Sequence, residues 1–334
     1  SEDIVQLVAD EPLGLRPELT ASITRAACTR LAQKERPLRL STSGTIFEIR
    51  DSVEGSICIE ENLQCGVELF GYKGINAEIE LLALLLVAMK KLDLDSIYRP
   101  TLLIGHTSLM QLILSDINIE FREDIKNALI NYDRVCLENL NLDRRSKDSL
   151  LEIQSLRGHP TDVLNTIKGF IGENHVLHNL RIIFSMIEPI AKKRGIELQL
   201  DPTFQPHFEL YTGIVFQLIC KGSSSPVVIA RGGRYDDLVR HFGSRNEEAS
   251  GLGFSFAIDK IRELVNDKKD LDYGIEKIII GYGHNRNLND AFERQLYWHK
   301  KGHIAEIQLD PFTSEEEALK AAKKKTNTKL DWIN

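Results

Sequence analysis

The sequence predicts an α+β fold: an antiparallel sheet flanked by helices, with a helical insertion and a small α/β unit at the C-terminal end. Three observations predict it. Strand-like stretches before residue 107 and after residue 195 follow one another as hairpins and meanders, the pattern of antiparallel pairing rather than βαβ crossovers. Between them, residues 108–175 carry Leu and Ile at helical spacing, alternating charges and no strand signal. After a charged linker, "NDKKDLDY" (266–273), the order becomes strand, helix, strand, helix. A chain of 334 residues has room for two or three cores.

The elements follow in order. "LGLRP" reads as a strand closed by Pro17, and "ELTASITRAACTRLAQ" as a helix with Leu19, Ile23, Ala27 and Leu31 on one face. "LRLSTSGTIFEIR" and "ICIEENLQCGVELFG" read as strands. Asn76 is placed to cap a helix over 77–92, with Glu78 and Glu80 near its positive end. "RPTLLIGH" is a further strand. "LRGHP" (156–160) marks a turn inside the insertion, and a helix over 176–195 ends at Gly195, a C′ position. Strands return at "IELQLD", "HFELYTGIVFQLICKG" and "SPVVIARGG", and a helix follows "GLGFSFAIDKIREL". The expected division is a discontinuous core of 1–107 and 176–266, an insertion of 108–175 and a C-terminal α/β domain of 274–334. Both ends of the sequence read as cut, since the chain opens close to a strand and closes on "LDWIN", where another begins.

Composition narrows the function. Hydrophobic residues make up 42% and charged residues 27%, as in ordinary globular proteins. The net charge of −7 argues against a general polyanion binder, so nucleic acid is not an expected partner. Five scattered cysteines without C-x-x-C spacing read as reduced, mostly buried thiols of a cytoplasmic protein. The most apolar run, "IELLALLLVAMKKL", is too short to span a bilayer. His106, His159 and His175 have no metal-site spacing; they read as surface or packing residues, and neither metal nor cofactor is expected.

Four stretches carry polar groups suited to chemistry. "LRPELT" puts Arg16, Glu18 and Thr20 where a strand meets a helix. In "NLQCGVELFG", alternation directs Gln64, Gly66 and Glu68 to one side and Cys65, Val67 and Leu69 to the other. "ELYTGIVF" brings Tyr211 near a glycine, and "RGGRYDDL" sets two glycines before Arg234 and Tyr235. Singly, each reads as a turn, a solvated face or a packed aromatic. Together, two carboxylates and an amide suit an ammonium group, and two tyrosines suit a flat ring with polar edges. A free amino acid with an aromatic side chain has both features.

These stretches, in this order, resemble the histidyl-tRNA synthetase family over residues 1 to about 266. "LRPELTASITRA" is similar to its LRPE-x-T segment and "LQCGVELFG" to its H-Q-x-G-x-E-x-F-G strand. "RGGRYDDL" resembles its A-G-G-R-Y-D motif, and "GLGFSFAIDKI" its class II motif 3. The resemblance implies a class II aminoacyl-tRNA synthetase-like antiparallel sheet, with the motif 1 region, which builds the family's dimer, missing before residue 1. It also implies a histidine site: Glu18, Thr20, Gln64 and Glu68 around the amino group and backbone, Tyr211 and Tyr235 around the imidazole.

The family's ATP ligands are not reproduced. Its motif 2 reads F-R-x-E, whereas this chain has "FEIR", with Glu48 at the arginine position and Arg50 at the glutamate position. The catalytic arginine of R-G-L-D-Y-Y falls on Pro206, and the closing arginine of motif 3 on Lys260. A carboxylate facing a phosphate costs about 1–4 kcal/mol, loss of one preorganised donor costs roughly 10²–10³ in rate, and Lys for Arg loses the bidentate fork. No catalytic residue is therefore expected. One branch of the family resembles this pattern, the regulatory subunits of ATP phosphoribosyltransferase. That resemblance implies a non-catalytic partner of the short-form catalytic subunit, required for its full activity and linked to histidine feedback in the first step of histidine biosynthesis, and a homodimer. An active histidyl-tRNA synthetase is the alternative; it calls for three intact arginines. A synthetase-like module that binds RNA or protein, with a vestigial pocket, calls for erosion of Glu18, Glu68 and the tyrosines.

Overall fold

A computed structural model describes residues 5–7, 13–51, 57–92, 94, 96–205, 210–243, 249–269, 277–323 and 328–333. The chain divides into two compact units, Ser1–Leu264 and Val265–Asn334.

The first unit opens on a short antiparallel pair, β1 (Gln6–Leu7) and β2 (Leu13–Gly14). The strand expected over "LGLRP" goes no further, because Arg16 turns to the next hairpin: its carbonyl accepts the Phe47 N–H at 3.0 Å and its Nε donates to the Thr45 carbonyl at 2.6 Å. Helix α1 (Thr20–Cys28) stops short of the expected Gln33. The Thr29 N–H still closes on the Arg25 carbonyl, but beyond it the Ala26 carbonyl accepts from Leu31 and the Ala27 carbonyl from Arg36 Nη2 at 3.0 Å, so the regular ladder ends.

Strands β3 (Leu38–Asp51) and β4 (Ile57–Phe70) form a long antiparallel hairpin, with Gly44 opposite Gln64 and Glu48 opposite Glu60. Helix α2 (Ile75–Lys91) starts earlier than expected: its N-cap is Gly74, which makes no side-chain cap, and Asn76 lies inside the first turn. The tight approach selects glycine, since a β-carbon at residue 74 would stand 2.8 Å from the Tyr72 ring.

Strand β5 (Thr101–His106) leads into α3 (Thr107–Ile113), α4 (Ile119–Ile130), α5 (Arg134–Asn139), α6 (Arg144–Ser155), α7 (Pro160–Ile171) and α8 (His175–Lys193). Local chemistry sets these boundaries. Asn118, Asp133, Asp143 and Asn174 cap α4, α5, α6 and α8, Pro160 opens α7, and Gly195 follows α8 at φ +65°. The chain continues through β6 (Glu197–Leu200), β7 (Ile214–Lys221), β8 (Pro226–Arg234), α9 (Asp236–His241), β9 (Gly251–Ala257) and α10 (Ile258–Lys269).

The main sheet runs β3-β4-β9-β8-β7-β5-β6. Its pairs are antiparallel except the last: β6 lies parallel to β5, because the helices α3 to α8 form the crossover between them. One face buries Leu102, Ile104, Phe216, Leu218 and Phe254, and α2 packs against β9 and α8. The opposite face, carrying Gln64, Gly66 and Glu68, holds the site. Strand β7 begins at Ile214, so Tyr211 precedes it, on a segment whose Thr212 N–H donates to the Arg234 carbonyl at 2.8 Å.

The second unit holds β10 (Lys277–Tyr282), α11 (Leu288–Lys300), β11 (Ile304–Ile307), α12 (Glu315–Lys323) and β12 (Thr328–Ile333). Its strands form a parallel sheet in the order β11-β10-β12 around Ile278, Ile280 and Tyr282. The five cysteines are free; where the sequence predicts mostly buried thiols, only Cys220 is fully buried, and Cys65 is exposed on the same side of β4 as Val67 and Leu69.

Candidate ligand-binding site

The site is laid out by strand register. Glu68 on β4 pairs with Gly253 on β9, which pairs with Gly233 on β8. Gly66, Ser255 and Arg231 form the adjacent row. The glycines are where side chains from elsewhere come to rest. A β-carbon at Gly233 would stand 2.5 Å from the Tyr211 ring, and one at Gly251 would stand 2.3 Å from the Tyr235 ring. Bare backbone at these points lets both aromatic rings and the Glu68 carboxylate lie low over the sheet.

Glu68 is 4% exposed and is held by neutral donors. Thr20 Oγ1, at the first turn of α1, donates to Oε1 at 2.9 Å, and the Tyr235 hydroxyl donates to Oε2 in a short hydrogen bond. Burial pushes the Glu68 carboxyl up to about 7; the two hydroxyl donors oppose the rise and the nearby Glu18 adds to it. Tyr235 is fully enclosed, its ring edge-on to Phe70 in a cluster with Ala27, Val239 and Ala249. Its hydroxyl is raised well above the ordinary range by burial and then by Glu68. Tyr211 is pushed up to about 12 by burial, followed by the charges of Glu68 and Glu18. Glu18 accepts the Ala21 N–H at 2.9 Å and so also serves the N-terminus of its own helix.

The arrangement therefore brings Glu18, Thr20, Glu68, Tyr211 and Tyr235 together. Glu18 lies close enough to Glu68 to raise its carboxyl further, a pairing of acids that suits an ammonium or a protonated ring. Gln64 lies further along the same face and lines a small open cavity of about 50 Å³ with Glu48, Asn62, Arg231, Ser255 and Lys260. Glu48 accepts from Asn62 Nδ2 at 3.4 Å. Pro206 lies outside the described residues.

Beneath the site is a buried frame that sequence reasoning missed. Arg234 Nε donates to Glu78 Oε1 at 2.9 Å, and its Nη1 donates to Ser250 Oγ at 2.8 Å. The Asp236 carboxylate accepts the Gly251 N–H at 3.1 Å, and the Asp236 N–H donates to the Thr212 hydroxyl oxygen at 3.0 Å. The frame ties the Tyr211 loop, the Tyr235 turn and β9 together. Its one legible signal was an arginine inside "GGRYDD". His106 belongs to its surroundings: Nδ1 accepts the Ser108 N–H, and burial, then Arg234 and His175, push the ring down to about 4, so it is a neutral helix cap.

Fold and site together define a histidyl-tRNA synthetase-like domain, and residues 1–261 match the family model described as histidyl-tRNA synthetase. Among solved structures, an ATP phosphoribosyltransferase regulatory subunit/histidyl-tRNA synthetase from Bacillus halodurans is similar with a TM-score of 0.71 at 24% identity, covering 99% of this chain and 83% of that one. An ATP phosphoribosyl transferase (HisG:HisZ) complex from Thermotoga maritima contains a chain similar at TM-score 0.55 and 17% identity, over 75% of this chain and 84% of that one. An ATP phosphoribosyltransferase regulatory subunit of Prochlorococcus marinus (strain MIT 9303) is 53% identical over all 334 residues and 85% of its own length. The chain belongs to the family of ATP phosphoribosyltransferase regulatory subunits. Its role is regulatory and non-catalytic. No helix among the described residues is long and apolar enough to cross a membrane.

Proposed function

We propose that this subunit binds free L-histidine at Glu18, Thr20, Gln64, Glu68, Tyr211 and Tyr235, and that occupancy tunes the short-form catalytic subunit of ATP phosphoribosyltransferase with which it assembles in the cytoplasm. One observation carries the reading: the buried Glu68 carboxylate is held only by hydroxyl donors and has a second carboxylate, Glu18, close by. A cationic amino group relieves that arrangement, and the two tyrosines supply a slot for a flat ring with polar edges. Glu48 in the neighbouring cavity opposes a triphosphate, so the pocket serves recognition without activation. Histidine then biases an equilibrium that the catalytic subunit also senses, a coupling typically of about 1–3 kcal/mol. The subunit works as a homodimer within the hetero-oligomer, as the family resemblance implies.

The test is calorimetric titration of L-histidine into the purified subunit, with and without Mg-ATP, beside inhibition curves of the reconstituted complex. Binding that ignores ATP, and feedback that weakens in Glu68→Gln, are expected. ATP-dependent turnover, or feedback untouched by Glu68→Gln, overturns the reading.

A further inference from the structure

Arg231 is a charged group that the pocket as described leaves unused. It projects from β8 on the same side of the sheet as Gly233, in the row Gly66–Ser255–Arg231 next to Glu68–Gly253–Gly233. It is exposed, and it makes no hydrogen bond or ion pair with any described residue. It lines the open cavity together with Gln64 and Ser255, and its positive charge reaches the Tyr211 hydroxyl. It stands where the family motif A-G-G-R-Y-D has alanine, and it shares the cavity wall with Glu48 and Lys260.

The spacing gives it a task. Glu68 reaches across to Gly253, so its carboxylate lies one strand and two residues from Arg231, about 8 Å from the Arg231 Cα by ordinary sheet spacings. The two groups are not paired with each other, and their spacing fits a molecule that carries an ammonium at one end and a carboxylate at the other. We propose that Arg231 is the carboxylate anchor of this pocket, donating to the α-carboxylate of the amino acid whose ammonium group lies at Glu18 and Glu68. The proposal rests on the reading of the pocket as an amino-acid site and adds its specificity: the guanidinium fork selects a free carboxylate, so decarboxylated or reduced analogues are rejected.

The test compares L-histidine, L-histidinol and histamine by calorimetry on the intact subunit, as wild type, Arg231→Ala and Arg231→Lys. Wild type is expected to prefer L-histidine over histamine by roughly 10- to 100-fold, the size of one charge-assisted contact. Arg231→Ala loses that preference, with histamine affinity as the internal reference, and Arg231→Lys restores part of it. A thermal melt accompanies each variant, and the exposure of Arg231 predicts unchanged folding. If wild type binds the ligands and Arg231→Ala keeps the full preference, the anchor is wrong and the pocket stands. If wild type binds neither L-histidine nor histamine, the amino-acid pocket itself falls, and the anchor with it.

Discussion

The Glu68 carboxylate occupies the space above Gly253: a β-carbon on that glycine would stand 1.5 Å from Oε2. Strand β9 therefore has no side chain at the point where β4 sends its acid across the sheet. Gly253→Ala drives the carboxylate out of its bonds with Thr20 and Tyr235. The Val67 carbonyl, 2.8 Å from the added carbon, blocks retreat of the backbone. The expected cost is about 2–4 kcal/mol of stability, from overpacking and the stranded hydroxyl partners, with loss of histidine binding. Denaturant unfolding and titration of the same variant check both. A variant that keeps wild-type stability and affinity shows that Glu68 does not need this space.

Glu68 also sets a pH dependence. Its folded carboxyl titrates at about 7, raised from the ordinary 4.5, so the folded protein holds this proton more tightly than the unfolded chain. The stabilisation is complete below the unfolded value and is lost as pH rises through about 7. The shift corresponds to roughly 3 kcal/mol. Unfolding curves of the ligand-free protein at pH 5.5 and 8 are expected to show the fall, and Glu68→Gln to flatten it. An ammonium ligand prefers the ionised carboxylate, so histidine binding expels a proton and strengthens between pH 6 and 7.5. Calorimetry in buffers of different ionisation heat reads that proton directly; an absence of proton release contradicts the assignment.

Much of this site was legible because it depends on short-range periodicity. The alternation of Gln64, Gly66 and Glu68 is a property of β4 alone, and the register carries it unchanged onto the open face. What escaped depends on long-range partners. Glu78 does lie in the first turn of α2, where a helix dipole favours an acid, yet its carboxylate is taken by Arg234, 156 residues away. The early end of α1 follows from Arg36 capturing a helix carbonyl, and the parallel setting of β6 from the length of the crossover. No pattern within a window of sequence encodes such choices.

The Arg234–Glu78 pair makes a stability prediction. Both side chains are under 10% exposed, at 7% and 8%. Without Glu78, Arg234 keeps only the longer Asp236 contact at 3.4 Å and its neutral acceptors, so the cost falls below the 3–5 kcal/mol of a fully orphaned buried charge, at about 2–3 kcal/mol. Glu78→Ala is expected to lose that much in denaturant unfolding and to weaken histidine binding indirectly, through the Tyr211 and Tyr235 segments. Glu78→Gln keeps a hydrogen-bond acceptor and loses less. Equal stability of wild type and Glu78→Ala means that Arg234 finds other partners and the frame is redundant.

In the second unit, Asp331 on β12 gathers α11. It accepts from Arg294 Nε at 2.7 Å and Nη2 at 3.2 Å, and from the Trp298 indole N–H in a short bond. Asp331 is mostly buried while Arg294 is half-exposed, so water competes for the arginine more than for the indole. Asp331→Ala leaves the Trp298 N–H without its acceptor, at an expected cost of about 1–3 kcal/mol for hydrogen bonds to a charged group. Because Trp298 reports on the bond, its fluorescence follows the change locally, against Trp332 as the second tryptophan of the chain. Asp331→Asn keeps one acceptor for the indole and loses the charge. It is expected to fall between the two, while the proposed histidine site in the other unit keeps its affinity. A tryptophan signal that is identical in Asp331→Ala and wild type would mean the contact does not persist in solution.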